Sequence, residues 1–343
     1  MVCIDAPSHY DAPEFFLEPY WTGKRPFVIL ALDHGRAIGV FSGLHGGDLQ
    51  FAFGGLSRSQ IRIDNNADAL LASDLLADGL LQEAEDEELV TFHAWSCVPL
   101  PGFERRGFLR HQQEGRVVLD LSLGADALYK DFHENRKRNI RIAIKNGIEV
   151  IESSTQEDLH AYWSVYSAWR RTSRKTIVHN HSFATTEQVH LMRRNHRRFL
   201  ARFDGRVIAA TGLRFHPTGL VEYANNCSLD EFIPLRPNDL LLWRTIEWAC
   251  EQGFEKYSLG GANPFFRKSG GNVLPIYRYR LDRTFLHRHE LKDRLGSKLR
   301  SLLRKAPTGA GRAVRKLIKR VSAAGQIGCD GPVIIRDEKP PQR

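Results

Sequence analysis

The sequence predicts a mixed α/β (α+β) protein made of two related units in tandem, followed by a basic helical C-terminal tail. Three observations carry this. A three-stranded meander is written twice, helical apolar stretches alternate with strand-sized runs, and 343 residues suffice for two cores. Residues 27–54 read FVILALDHGRAIGVFSGLHGGDLQFAFG, and residues 199–226 read FLARFDGRVIAATGLRFHPTGLVEYANN. Each has an apolar strand, a tight turn, a second strand, a Gly-containing turn and a third strand. The tight turns are Asp33-His34-Gly35-Arg36 and Asp204-Gly205-Arg206. Asp and Gly between alternating apolar runs predict type I′ hairpins, whose two central residues need positive φ. The copies lie about 170 residues apart, half the chain, which predicts duplication of a whole unit rather than a short solenoid repeat. The alternative is two unrelated meanders.

Helical periodicity over Ala67–Glu83 follows the first meander, then strands at Leu89–Cys97 and Val117–Leu121 with a loop at Pro99–Gly107 between them. Leu128, Phe132, Ile140 and Ile144 predict one helix over 128–146, capped by Gly147 and followed by a strand at Ile148–Ile151. Thr155 with Asp158 predicts a capping box opening a helix through Trp169, and Thr185 with Gln188 opens another. After the second meander come a helix over 238–252, a strand at Lys256–Leu259, a loop at Gly260–Gly271 and a strand at Ile276–Leu281. Beyond Glu290, Leu291, Leu295, Leu299 and Leu302 mark one amphipathic helix. Val314, Leu317, Ile318 and Val321 mark a second, and the stretch from Gly325 reads as disordered. The expected domains are 1–125, 126–289 and a tail at 290–343.

The net charge of +9 is local. Residues 283–320 hold thirteen Lys/Arg against two acids, so the remainder of the chain is near −2, and the fold calls for no nucleic-acid explanation. Five cysteines, an odd number without CxxC spacing, predict reduced thiols in a cytosolic protein. The acidic start MVCIDAPSHYDAPEFF lacks a signal-peptide core, and no apolar run approaches the ~20 residues of a membrane span. The expected location is the cytoplasm, with residues 290–322 resting on the anionic inner face of the membrane. His179-Asn180-His181 and His287-Arg288-His289 lack a third ligand of convincing spacing, so no metal is expected.

Candidate chemistry gathers in the second half. Arg236-Pro237-Asn238 gives a helix start a cation, a rigid entry and an N-cap, and exposed N–H groups there can hold an anion. The alternative is an ordinary capped helix. Glu222 and Tyr223 are candidate bases for deprotonating an amine; being adjacent in a strand, only one of them can line a given cleft. A surface ion pair explains Glu222 as well. Arg267 and Lys268 read as anion-binding groups or as solvated loop charge.

Residues 223–268, YANNCSLDEFIPLRPNDLLLWRTIEWACEQGFEKYSLGGANPFFRK, resemble the second domain of the FemABX-like aminoacyltransferases and the CelD-like acyltransferases of the GNAT superfamily. That pattern has a meander, a Pro-containing turn, a helix of the form LLxWxxIxWAxxxG, and a strand ending in Gly-Gly before an aromatic-Lys loop. HENRKRNIRIAIKNGIEVI, residues 133–151, resembles the basic helix ahead of that domain. The resemblance is good over 126–285 and weaker over 14–125. It implies two tandem GNAT-like acyltransferase domains with an acyl donor and an amine acceptor in a shared cleft, no bound cofactor, and acyl-CoA as co-substrate. Lys268 aligns with the lysine that meets the donor or the developing oxyanion. Arg236, Asn238, Asp239 and Arg267 are the implied donor-binding residues, and Trp169, Arg170, Arg174, Asn225 and Asn226 the implied acceptor pocket. Two alternatives stand beside acyl-CoA transfer: an aminoacyl-tRNA-dependent aminoacyltransferase acting on a peptidoglycan precursor, tRNA then being the one nucleic-acid partner, and a non-catalytic GNAT-like module docking on membrane.

Overall fold

The computed structural model describes residues 7–21, 23–46, 51–53, 61–86, 91–173, 182–191, 194–287 and 291. Both predicted tail helices, apart from Leu291, lie outside the described residues, as do Arg174 and the 179–181 His pair. Residues 1–47 and 51–281 form one compact unit. Residues 48–50 and 282–343 form a second, of which the described part is a turn where Asp282 accepts from Thr284 N at 3.0 Å.

A short helix α1 (Pro13–Phe16) precedes the first meander, β1 (Lys24–Asp33), β2 (Arg36–Gly46) and β3 (Phe51–Phe53). Then follow β4 (Ile61–Ile63), α2 (Ala69–Asp86), β5 (Thr91–Ser96), α3 (Pro101–Arg105) and β6 (Leu109–Asp120). The second half runs α4 (Ala125–Asp131), α5 (Glu134–Lys145), β7 (Glu149–Glu152), α6 (Gln156–Ser173), α7 (Phe183–Leu191) and the second meander, β8 (His196–Phe203), β9 (Arg206–Phe215) and β10 (Leu220–Ser228). It closes with α8 (Pro237–Glu251), β11 (Lys256–Gly261), α9 (Pro264–Arg267) and β12 (Asn272–Asp282).

The meanders match in detail. Their turns carry positive φ at both central residues, His34 and Gly35 in one, Asp204 and Gly205 in the other. Each hairpin is bulged just beyond its turn: the register shifts between Ala31 and Leu32 opposite Ile38, and between Ala201 and Arg202 opposite Ile208. Each third strand then runs parallel to the strand after its crossover helix through three residue pairs, β3 with β5 and β10 with β11. The halves share one twelve-stranded sheet of order β1-β2-β3-β5-β12-β6-β11-β10-β9-β8-β7, with β4 on β2. The last strands are exchanged: β6 lies beside β11 and β12 beside β5.

In the first half α2 sets Leu76 and Leu80 on Phe27, Ala31, Phe41 and Phe92. Gly79 allows the approach, since a Cβ there would stand 2.5 Å from Ile29 Cγ2. In the second, Ile140 of α5 and Leu240, Trp243 and Ile246 of α8 pack on Phe199, Leu213 and Val221. The opposite face of that sheet is covered by Leu159, Tyr162 and Val165 of α6. Each fully buried side chain of this kind contributes roughly 1.5–3 kcal/mol.

Several local expectations shift. Residues 128–146 are two helices, because extended Phe132 and His133 break the run and Phe132 turns into the core, 5.4 Å from the Trp243 ring. The loops at 99–107 and 260–271 contain α3 and α9, each led by a proline preset for the first helical position. The cap of α7 is Ser182, which accepts from Thr185 N at 3.1 Å, one turn before the predicted start. The Thr155–Asp158 box forms as read: Asp158 N donates to Thr155 Oγ1 at 3.1 Å, and Thr155 N to Asp158 Oδ2 at 3.2 Å.

Candidate active site

β10 parts from β11 after Glu222, the last paired residue. Ala224 bulges out of the β9 register, and β10 continues to Ser228 against β9 alone while Gly261 of β11 pairs with Arg116 of β6. α8 starts beside this splay. Its N-cap is Arg236, held in the left-handed region at φ +65 with no side-chain cap, just before Pro237. A non-glycine residue in that region is uncommon and strained, by roughly 1–3 kcal/mol. Asn238 is therefore inside the helix rather than its cap, and its Nδ2 donates to Ser228 Oγ at 3.1 Å.

Four charges meet at this helix start. Arg136 of α5, fully buried, donates through Nη1 to Asp239 Oδ1 at 2.8 Å and through Nη2 to the Phe265 carbonyl of α9. Asn139 Nδ2 donates to the other Asp239 oxygen at 3.2 Å. The guanidinium lies 4.2 Å from the Phe265 ring, a cation–π contact. Burial holds the Asp239 carboxyl above its ordinary value, against the pull of Arg136, Asn139, Arg236 and Lys268. Three cations thus surround one acid at a positive helix end, an excess of charge suited to an anion. Lys268 is half-buried, and among the described residues no ion pair takes it. Its carbonyl accepts from His133 N at 3.0 Å, which ties the lysine's backbone to the start of α5. Arg267, by contrast, turns its Nε back to the Ala262 carbonyl at 2.8 Å.

Tyr223 lines the same side of the sheet, buried, with its ring 5.5 Å from that of Phe266. Burial pushes its phenol up to about 12, so at neutral pH it holds its proton and can donate rather than act as a base. Glu222 faces the other way. It is fully buried and accepts from Arg116 Nη1 at 3.4 Å, while Arg116 Nη2 donates to Cys97 Sγ at 3.3 Å. The structure therefore does not bring Glu222 to Lys268: its carboxylate is the anion of a buried pair, and the expectation of a poised base at 222 is corrected. Cys97 also lines a cleft of about 1190 Å³ between β4 and the end of β5, walled by Ile38, Ile61, Ile63 and Pro99 with Arg62 and Lys256 among its polar groups.

The expected acceptor residues are dispersed. Trp169 packs against Tyr166 within the α6 core, and Arg170 follows it on the same helix. Asn225 is exposed and lines a small cavity of about 30 Å³ with Tyr20, His196 and Arg198. Asn226, two residues past the bulge, pairs with Thr211 of β9. Near that cavity Glu18 accepts from His9 Nε2 at 2.8 Å, His196 Nε2 at 3.0 Å and Arg214 Nη2 at 2.6 Å. Two imidazoles and a carboxylate are metal-type ligands, yet the Arg214 guanidinium already occupies the carboxylate and repels a second cation. The sequence held no sign of this cluster, whose members come from the N-terminal segment and the distant β8–β9 hairpin.

Residues 130–268, about two fifths of the chain, match the acetyltransferase (GNAT) domain family model. Likeness of fold spans both halves. A solved structure of FemX superposes with a TM-score of 0.62 at 15% identity, covering 80% of this chain and 92% of that one. L-PGS from Bacillus licheniformis gives 0.52 at 12% identity, covering 81% and 93%. A tandem GNAT protein from the clavulanic acid biosynthesis pathway gives 0.52 at 12%, covering 77% and 85%. No curated protein matches the chain by sequence. These likenesses show a tandem GNAT-like fold. Among the described residues no helix is long and apolar enough to cross a membrane.

Proposed function

We propose that the chain transfers an acyl group from acyl-CoA to an acceptor amine at the splay between β10 and β11. The observation that carries this reading is the Lys268 ammonium, which no ion pair takes among the described residues, beside the Arg136–Asp239 pair at the start of α8. Arg136 and Arg236 supply positive potential for the donor's phosphates. The neutral amine attacks the thioester carbonyl, a C–N bond forms, and the oxyanion of the tetrahedral intermediate meets Lys268. Collapse breaks the C–S bond; Tyr223, which keeps its proton at neutral pH and stands past the last β10–β11 pair, donates a hydrogen bond to the departing thiolate, which takes its proton from solvent. The amine's own proton leaves to solvent, since Glu222 is engaged with Arg116. The free thiols of Cys97, Cys227 and Cys250 support a cytoplasmic setting, and the FemX and L-PGS neighbours support an acceptor in the cell envelope. Domains at 1–125 and 126–289, joined by exchanged strands, belong to the same proposal.

The test is turnover of acetyl-CoA with a panel of amines, read as free thiol released. Lys268→Ala is expected to lower kcat by roughly 10²–10³-fold with an unchanged Tm, the cost of one charge-stabilising donor. Arg106→Ala, at the matching position after α3, is the control and keeps full turnover. Near-normal turnover in Lys268→Ala would overturn the assignment.

A further inference from the structure

The two halves differ in what covers the sheet face away from the crossover helix. In the second half α6 buries it; in the first, α1 reaches only its margin, and the β1 row that faces away from α2 stays bare. Val28, Leu30 and Leu32 are 62%, 56% and 52% exposed, and Leu17 beside them is 74% exposed. β1 is also the terminal strand of the sheet, ten residues long, with no charge between Arg25 and Asp33. A long apolar edge of this kind is a ready template for strand pairing, which native proteins otherwise blunt with charges or prolines.

We infer that β1 is a self-association edge, pairing antiparallel with β1 of a second copy across a two-fold axis at Leu30. This register is self-complementary. It sets Leu30 opposite Leu30, and each Val28 opposite the second copy's Leu32, so the bare row becomes three apolar cross-strand pairs. On the other face it places Asp33 diagonal to the second copy's Arg25, twice, by symmetry. The bulge near the hairpin lies in β2 at Ile38, so β1 itself stays regular through Leu32 and its outer edge is straight enough to pair. Lys24, Arg25 and Pro26 close one end of the strand, confining the pairing to the apolar segment.

Light scattering of the full chain on a sizing column reads the result directly. The expected mass is twice that of one chain, falling two-fold in Leu30→Lys, whose far-UV circular dichroism stays that of the parent because the side chain is exposed in the single chain. Leu30→Cys is expected to crosslink with itself under mild oxidation. Val28→Cys is expected to crosslink only when mixed with Leu32→Cys, since directly opposite strand residues come within disulfide reach and residues four apart do not. A parent that stays monomeric across micromolar concentrations overturns the inference, as does a dimer that survives Leu30→Lys without Leu30→Cys crosslinks. Monomeric parent protein that binds anionic vesicles through Leu30 also overturns it, assigning the edge to a lipid surface.

Discussion

The short helices α3 and α9 occupy the same place in the two halves, each over the crevice beside the crossover helix, and the contrast between them lies in what fills that crevice. Both begin with proline, and both end on a cation at the C-cap, Arg106 and Lys268. In the first half α3 closes directly on α2. Gly102 N donates to Ser73 Oγ at 2.9 Å, and Arg106 is clamped by Asp74 and Asp78, its Nε meeting Asp78 Oδ1 at 2.7 Å. In the second half the buried guanidinium of Arg136 stands between α8 and α9, bonded to both, and among the described residues no ion pair takes Lys268. The same scaffold occurs twice; the Arg136 guanidinium in one half and the close α2–α3 approach at Gly102 in the other mark where the two differ.

The largest expected effect follows from removing that guanidinium. Arg136→Met keeps the length of the side chain but strands the Asp239 carboxylate in a buried site. Breaking one partner of a buried pair costs about 3–5 kcal/mol, so the denaturant midpoint should fall sharply. Arg136→Met with Asp239→Leu should regain most of that stability while acyl transfer stays lost. If the single variant is as stable as the parent, Arg136 does not hold α8 and α9 together, and the contrast between the crevices needs another cause.

What was legible in the sequence was local. The positive-φ turns at 34–35 and 204–205, the Thr155–Asp158 box and the capping Gly147 each depend on residues within one turn of each other. The resemblance across 223–268 worked because its order of elements lies in one stretch. Arg136 was read as one more cation on a basic helix, because its partner Asp239 is 103 residues away. Glu222 read as a base for the same reason: the arginine that claims it is 106 residues away, on a strand exchanged from the other half. Strand exchange leaves no mark on periodicity, since β6 and β12 alternate alike wherever they insert.

A smaller effect separates the two crevices by volume alone. A Cβ at Gly102 would stand 2.2 Å from the Asp74 backbone nitrogen, so Gly102→Ala must push α3 off α2. Overpacking of this kind costs about 1–3 kcal/mol. A Cβ at Gly261, at the end of β11, encounters nothing within 4 Å, and Gly261→Ala is expected to be neutral in stability. Equal thermal stability of the two variants would mean that the first crevice is not closed by contact.

The smallest expected effect concerns how the N-terminal segment is held on the second half. Glu18 receives His9, His196 and Arg214, with Tyr10 Oη accepting from Arg214 Nη1 at 3.3 Å and Asn195 Nδ2 at 3.4 Å from His9 Nδ1. Burial holds both imidazoles below the usual 6.5, the Glu18 bond opposing it and Arg214 adding to it. Burial alone would raise the Glu18 carboxyl, but Arg214 and the two histidines hold it far below 4.5. The folded state thus binds fewer protons than the unfolded one, and stability rises with pH wherever that holds. The histidines give their full contribution above 6.5, and it is lost as pH falls from there toward their lowered values. The Glu18 contribution is full above 4.5 and is lost only on further acidification. Melting temperatures from about pH 8 to pH 5 should decline along the histidine limb, and His9→Gln with His196→Gln should flatten that limb while leaving the acid limb of Glu18 in place. A parent whose Tm is constant over this range would show that the histidines bind protons equally in both states, and that the segment is held by its aromatic packing alone.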